Sequence, residues 1–209
     1  MVKREWFRVY DTAPAPPMRI VQSWDTANKA SELADYSVCT TWGLKEKRFY
    51  LLHVFRKKLN YPELKRAVRE QCDAFGAHVV LIEDRASGTQ LIQELIGENM
   101  HQVKKVSPDA DKVMRLHAQT GAIENGFVHI PREAPWLEDY LAELMRFPKS
   151  RHDDQVDSTT QALAWLTRPK GSESGWLEYA ADQMEKWMRN GTFPPGYFSK
   201  ESIANLRGE

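Results

Sequence analysis

From Arg19 to Lys57, apolar, β-branched and aromatic residues gather in three runs, IVQSWDTA, YSVCTTWGL and RFYLLHVFRK, separated by the polar stretches NKASELAD and KEK. Runs of this make-up between polar connections predict a three-stranded meander. The period changes at Tyr61. Leu64, Val68 and Cys72 recur every fourth residue in YPELKRAVREQCDAF, with Pro62 in the first turn and Gly76 as a stop, so residues 61–75 predict a helix. HVVLIED is then apolar up to its terminal acids, the pattern of a strand buried on both faces. A helix from about Thr89 to Ile96, a short strand QVKKV, a helix from Ala110 to Ala122 and a strand GFVHIP follow. Trp136 to Phe147 sets Leu137, Leu141, Leu144 and Met145 on one stripe, and HDDQVDSTTQALAWL opens with acids suited to a helix N-terminus before turning apolar.

A meander, then helix and strand units, then a closing helix specify an α/β plan in which helices flank a mixed sheet. Residues 1–18 carry the stiff run Pro14-Ala15-Pro16-Pro17, which cannot donate along a ladder, and read as a linker leading into a domain over 19–168. Residues 169–209 shift to GSESG and then to WLEYAADQMEKWM, and read as a C-terminal tail with an amphipathic helix. Trp176, Tyr179, Met184 and Trp187 form its stripe, which suits core packing or docking on a partner.

With 209 residues, 42% of them hydrophobic, the chain can bury a core without disulfide or metal staples. Cys39 and Cys72 are far apart and form no CxxC pair, which argues against a cysteine zinc site and suits a reducing compartment. No stretch reaches the roughly 20 apolar residues of a membrane span, and the first residues lack an apolar signal core. A soluble intracellular protein is expected. Lys and Arg number 29, as do Asp and Glu, so bulk positive charge does not hold a nucleic acid here. Such binding would need a local basic face.

Three elements each end or begin in acids. Asp25 closes the first strand, Glu83 and Asp84 close HVVLIED, and Asp153, Asp154 and Asp157 open the last helix, where their spacing allows one shared face. If the two strands are neighbours and the helix packs on them, Asp25, Glu83 and Asp153/Asp154 converge. Clustered carboxylates repel unless a cation lies between them, and hard divalent ions take oxygen ligands. Two ions about 4 Å apart can activate a water and stabilise a leaving oxygen, so the pattern suggests phosphodiester cleavage with Mg²⁺ or Mn²⁺. The plainer reading makes each acid a turn residue or a helix cap. Strand alternation turns Asp84 away from Glu83. Asp157, one turn into the helix, supports the ligands from behind or lies at the surface.

The motifs WDTA (Trp24 to Ala27) with the following Ala34-Asp35, IEDRASG (Ile82 to Gly88) and HDDQVDS (His152 to Ser158) resemble, in this order, those of the C-terminal nuclease domain of the large terminase subunit of tailed bacteriophages and their prophages. The resemblance extends from about Arg19 to Leu166. It implies a ribonuclease H-like fold, related to Holliday-junction resolvases and integrases, and a two-metal endonuclease that cuts concatemeric viral double-stranded DNA at the start and end of packaging. It also implies a place in the cytoplasm of the infected host, transiently at the procapsid portal. The implied partners are double-stranded DNA, the terminase ATPase domain, the small terminase subunit and the portal protein. Asp25, Glu83 and Asp154 match the catalytic acids: Asp25 would bridge two ions, Glu83 hold one and Asp154 the other, with Asp153 as a ligand or a supporting acid. Some relatives carry Asp where this chain has Glu83. No Gly is followed by Lys, so a GxxxxGK[ST] phosphate loop is absent and ATP hydrolysis is not expected. WFRVYDTAPAPP resembles the end of an interdomain linker, which favours an excised domain over a separately encoded one.

Arg85 adjoins an expected ligand and is a candidate phosphate contact, as are Lys104, Lys105, Lys112 and Arg115 around SPDADKVMR. Lys112 and Arg115, three apart on a helix, equally suit a solvated face. His152 suits proton transfer or, more simply, orientation of the helix it precedes. Two other functions fit the same pattern. One is a Holliday-junction resolvase-type nuclease; the other is a non-catalytic module docking on DNA or the portal, its acids serving only as caps.

Overall fold

The computed structural model describes residues 1–15, 18–27, 36–85, 87–107 and 110–168. The chain divides into two units, Met1–Leu166 and Thr167–Glu209. The tail stripe and Ala34-Asp35 lie outside the described residues.

Seven strands form one mixed sheet: β1 (Arg8–Tyr10), β2 (Arg19–Asp25), β3 (Ser37–Lys45), β4 (Arg48–Lys57), β5 (Val79–Glu83), β6 (Val103–Val106) and β7 (Val128–Pro131), in the order β1-β7-β4-β3-β2-β5-β6. The meander β2-β3-β4 is antiparallel, while β5 runs parallel to β2, β6 to β5, and β7 to β4. Helices α1 (Tyr61–Phe75), α2 (Ser87–Gly97), α3 (Lys112–Glu124), α4 (Leu137–Arg146) and α5 (Asp154–Leu166) complete the domain. The start of α1 is fixed by a capping box: Asn60 accepts from the Glu63 N–H, and Glu63 accepts from the Asn60 N–H. Its end is fixed by Gly76 at φ 57°, a left-handed position that side chains disfavour.

Strand alternation sorts the core into two faces. Trp24 on β2 and Val80 and Ile82 on β5 point to α1 and α2, where Leu64, Val68, Leu91 and Leu95 cover them. Val21, Val79 and Leu81 point the other way, toward Trp165 and Leu166 at the end of α5. On that second face, Val38, Trp42 and Leu51 pack with Leu116 of α3, Leu141 of α4 and Val156 and Leu163 of α5. Ser23, Asp25 and Glu83 continue the second face by the same alternation.

The leading segment is more than a linker. Val2 and Phe7 are buried in the α4 and α5 face of the core, and β1 pairs in parallel with β7, Arg8 opposite His129. Ion pairs Arg4–Glu138 and Arg132–Asp11 flank it. A strand of three residues among charges carries too few alternations for a period to emerge.

Candidate functional site

The parallel ladder of β2 and β5 ends with Trp24 opposite Ile82. Asp25 and Glu83 follow one residue later on each strand, so two carboxylates sit side by side at the carboxyl ends of neighbouring strands on the α5 face. The antiparallel neighbour continues the row: Asp25 stands opposite Val38, and Val38 opposite Arg56 of β4.

The loops after these strands fasten one another. Buried Ser87, the first residue of α2, donates to the Ala27 carbonyl at 2.6 Å and lies 3.1 Å from the Thr26 hydroxyl. Gly88 lies so close to β5 that an added Cβ would stand 2.1 Å from the Glu83 carbonyl oxygen. Thus WDTA and the last residues of IEDRASG hold each other, and the absent side chain at Gly88 lets α2 begin against Glu83. Asp84 points away as alternation requires: it accepts from the Thr89 hydroxyl at 2.9 Å and lies 3.6 Å from Lys105.

Between its apolar contacts, helix α5 also meets the sheet through buried polar side chains. Ser158 donates to the Ser23 carbonyl at 2.7 Å and accepts from the Thr40 N–H at 3.1 Å, and the Thr40 hydroxyl is 2.7 Å away. Because the Ser158 proton is committed to Ser23, Thr40 donates to Ser158, and Trp42 Nε1 donates to Thr40 at 2.8 Å. Gln161 adds a bond to the Ser23 hydroxyl at 3.0 Å, and Thr159 one to Tyr140 at 3.0 Å. From α4, Glu143 caps the start of α5, accepting the Gln155 N–H at 2.8 Å and its side-chain amide at 2.7 Å. These bonds set α5 against β2 and β3 with its acidic first turn beside Asp25.

Three of the acids are raised, each first by burial. Burial, and then the charges of Asp157, Asp154 and Glu83, push the Asp25 carboxyl well above the usual carboxylate range. Asp154 is pushed up to about 6 by burial, Glu143 and Asp153, and its Oδ2 is buried with no hydrogen-bond partner among the described residues. Asp157 is also raised, by burial, against the pull of Lys112 and Arg115.

Helix α3, capped by Asp111, packs beside α5 and brings two cations into this cluster. Lys112 Nζ lies 2.8 Å from Asp153 Oδ1 and 2.6 Å from Asp157 Oδ2, while Arg115 lies 2.7 Å from Asp157 Oδ1 and 3.8 Å from Glu83 Oε2. Burial lowers the Lys112 pKa, but the bonds to Asp153 and Asp157 outweigh it and leave it raised. The Lys112/Arg115 face is therefore turned to the acids and is not a plain solvated face. Asp157 is 4% exposed and lies in the cluster rather than at the surface. Among the described residues, no group of three or more His, Cys, Asp or Glu is already drawn together to hold a metal ion. The acids share one face without closing to ligand distance, and Asp153 and Asp157 are occupied by Lys112 and Arg115.

Arg85 is exposed, 3.4 Å from Glu83, and Lys104 and Lys105 are exposed on β6. His152 meets the Tyr36 ring edge-on at 5.6 Å, beside the Arg56 guanidinium stacked 4.0 Å from the same ring. The sequence reading missed Glu143 and Ser158. An acid three residues after Tyr140 on the apolar stripe of α4 was the available signal for Glu143; for Ser158 it was a run of small hydroxyl residues where a buried helix ordinarily carries apolar ones.

A seven-stranded mixed sheet between two groups of helices, with acids at the ends of its first and fourth core strands and on the closing helix, is a ribonuclease H-like fold. A family model described as the terminase RNaseH-like domain matches residues 22–165, and the chain belongs to that family. No curated protein matches it. The fold is similar to the large terminase nuclease of thermophilic phage G20c, solved with bound zinc (17% identity over 79% of this chain and 96% of that one, TM-score 0.60) and with bound magnesium (16%, 77% and 93%, TM-score 0.60). It is similar too to the large terminase of a second thermophilic bacteriophage at 13% identity and TM-score 0.59, where 75% of this chain matches and the chain spans 42% of that protein's length. Among the described residues no helix is long and apolar enough to cross a membrane.

Proposed function

We propose that this chain is a metal-dependent endonuclease that cuts concatemeric viral double-stranded DNA during packaging. It would act in the cytoplasm of the infected host, with an ATPase motor, a small terminase subunit and the portal as partners. The observation that carries the reading is the gathering of Asp25, Glu83, Asp154 and Asp157, from two strands and a helix, on one face of the sheet. A cap or a turn residue requires no such gathering, and mutual repulsion makes it costly without a cation.

The residues fit a hard divalent ion. The donors are all carboxylate oxygens, Asp154 Oδ2 is buried and unpartnered among the described residues, and the Asp25 carboxyl is pushed up by burial and by like charges that a cation would offset. The magnesium and zinc in the phage G20c nuclease support the same reading. Asp25, Glu83 and Asp154 would hold two ions, Mg²⁺ or Mn²⁺, with Asp153 and Asp157 beside them. Such ions, when bound, supply an activated water and charge for the leaving oxygen. The chain's own residues do the rest. Ser158 and Glu143 hold α5 so that Asp154 faces Asp25, and Ser87 and Gly88 hold Glu83 beside it. Exposed Arg85, Lys104 and Lys105 offer backbone phosphate contacts, which suit cutting without strong sequence preference. The domain over 19–168 would carry this activity, with β1 as its added edge and the tail over 169–209 as an appendage.

The test is cleavage of plasmid and linear duplex DNA in Mn²⁺. Wild type should cut both, and Asp25→Ala and Asp154→Ala should lose activity by at least about a hundredfold, the scale of a lost catalytic group. Undiminished cutting by both variants would remove the assigned acids. Cutting confined to four-way junctions would favour a resolvase, and no cutting or DNA-stimulated metal binding would favour a docking module.

A further inference from the structure

Lys112 bridges two carboxylates. Its Nζ lies 2.8 Å from Asp153 Oδ1 and 2.6 Å from Asp157 Oδ2. Together with Arg115 on Asp157 Oδ1, it takes both oxygens of Asp157. Asp154 Oδ2, one residue from Asp153, has no hydrogen-bond partner among the described residues. We propose that Lys112, seated on Asp153 and Asp157 next to Asp154, keeps the second of the two divalent ions from Asp154, so that this ion binds only when the ammonium leaves. The inference rests on the metal-site reading above and states how that site is loaded.

The two cations differ in their freedom to move. Arg115 is buried to 15% side-chain exposure, its rigid planar group hydrogen-bonded to Asp157 at 2.7 Å and 3.8 Å from Glu83. Lys112 is 44% exposed, sits in the first turn of α3, and carries a compact charge on a flexible stem that can turn to water. Arg115 is thus a fixed part of the site and Lys112 an exchangeable one.

Charge favours this exchange. Asp25, Glu83, Asp153, Asp154 and Asp157 lie with Lys112 and Arg115, and the exposed Arg85 stands 3.4 Å from Glu83. Each divalent ion added to this group raises the cost of keeping a like-charged ammonium in it. The first ion therefore binds with Lys112 seated, near Asp25 and Glu83. The second must compete with it. Once displaced, the ammonium stands at the rim of the site, where a DNA phosphate gives it a new partner. DNA and the second ion then support each other's binding.

The experiment is calorimetric titration of the full chain with Mn²⁺, together with its melting in chelator. Wild type should bind one ion more tightly than the other. In Lys112→Met the weaker step should tighten by on the order of tenfold or more, the effect of removing one adjacent like charge, while the tighter step changes little. Lys112→Arg should keep the wild-type weak step. If Lys112→Met does not fold by its melting curve, Lys112→Gln carries the same expectation. A weaker step that is unchanged or further weakened in the variant overturns the inference while leaving the metal site standing. If wild type and variant both bind no Mn²⁺, the metal-site reading falls and this inference with it.

Discussion

Glu143 on α4 and Gln155 on α5 are joined twice, through the Gln155 backbone N–H at 2.8 Å and its side-chain amide at 2.7 Å. The carboxylate is buried to 8% exposure, with Arg56 3.8 Å away. One helix thereby supplies the cap of another, at the turn that carries Asp154. Glu143→Ala leaves two buried donors unpaired, and should cost about 2–3 kcal/mol, read from the urea midpoint. Glu143→Gln keeps one acceptor oxygen for the backbone N–H and should cost less. Equal stability of Glu143→Ala and wild type would remove the cap from this account.

Ser158 is the corresponding fastener on the sheet side. Its hydroxyl serves the Ser23 carbonyl, the Thr40 N–H and the Thr40 hydroxyl at once, so Ser158→Ala removes a junction rather than one bond. A loss of about 2 kcal/mol is expected, together with weaker Mn²⁺ binding, because α5 then has fewer bonds holding Asp154 and Asp157 against β2. A variant less stable by that amount with unaltered Mn²⁺ affinity would confine Ser158 to folding.

Gly88 offers a test of sign. In an ordinary exposed helix, Gly→Ala stabilises by about 1 kcal/mol. Here the new Cβ would stand 2.1 Å from the Glu83 carbonyl oxygen, and backbone atoms on both sides must yield. Gly88→Ala should therefore destabilise by roughly 1–3 kcal/mol and displace Glu83. Thermal melting decides between the two signs.

Much of this arrangement was legible in the sequence because it rests on local pattern. The apolar run of HVVLIED announced β5, the spacing of Leu64, Val68 and Cys72 announced α1, and strand alternation turned Glu83 and Asp84 to opposite faces. Glu83 stood out because an acid after an uninterrupted apolar run has no packing role, and Asp25 because it ends a strand that an apolar residue would more comfortably continue. Which partner a charge finds is a tertiary fact, and there the pattern was silent. Lys112 and Arg115 have the spacing of a solvated helix face, yet α3 lies against α5 and turns them onto Asp153, Asp157 and Glu83. Strand β1 was hidden for a different reason: three residues among charges are too few for alternation to register.

The acids also fix how stability depends on pH. Asp154 has a folded pKa of about 6, raised first by burial and then by Glu143 and Asp153, against an unfolded value near 3.9. A carboxyl that holds its proton more tightly when folded favours the native state at low pH, and that advantage is lost as pH rises from about 4 to about 6. Asp25 and Asp157 are shifted in the same direction. In chelator, the stability of wild type relative to Asp154→Asn should therefore fall across that window and level off above it. The expected change is on the order of 1–2 kcal/mol, below the full linkage value because Asp154 is partly exposed. A bound divalent ion favours the ionised carboxylate, so in saturating Mn²⁺ the trend should reverse, with wild type gaining over the variant as pH rises through 6. Urea titrations at several pH values with and without Mn²⁺ measure both slopes. Parallel curves in the two conditions would mean that Asp154 does not meet the ion.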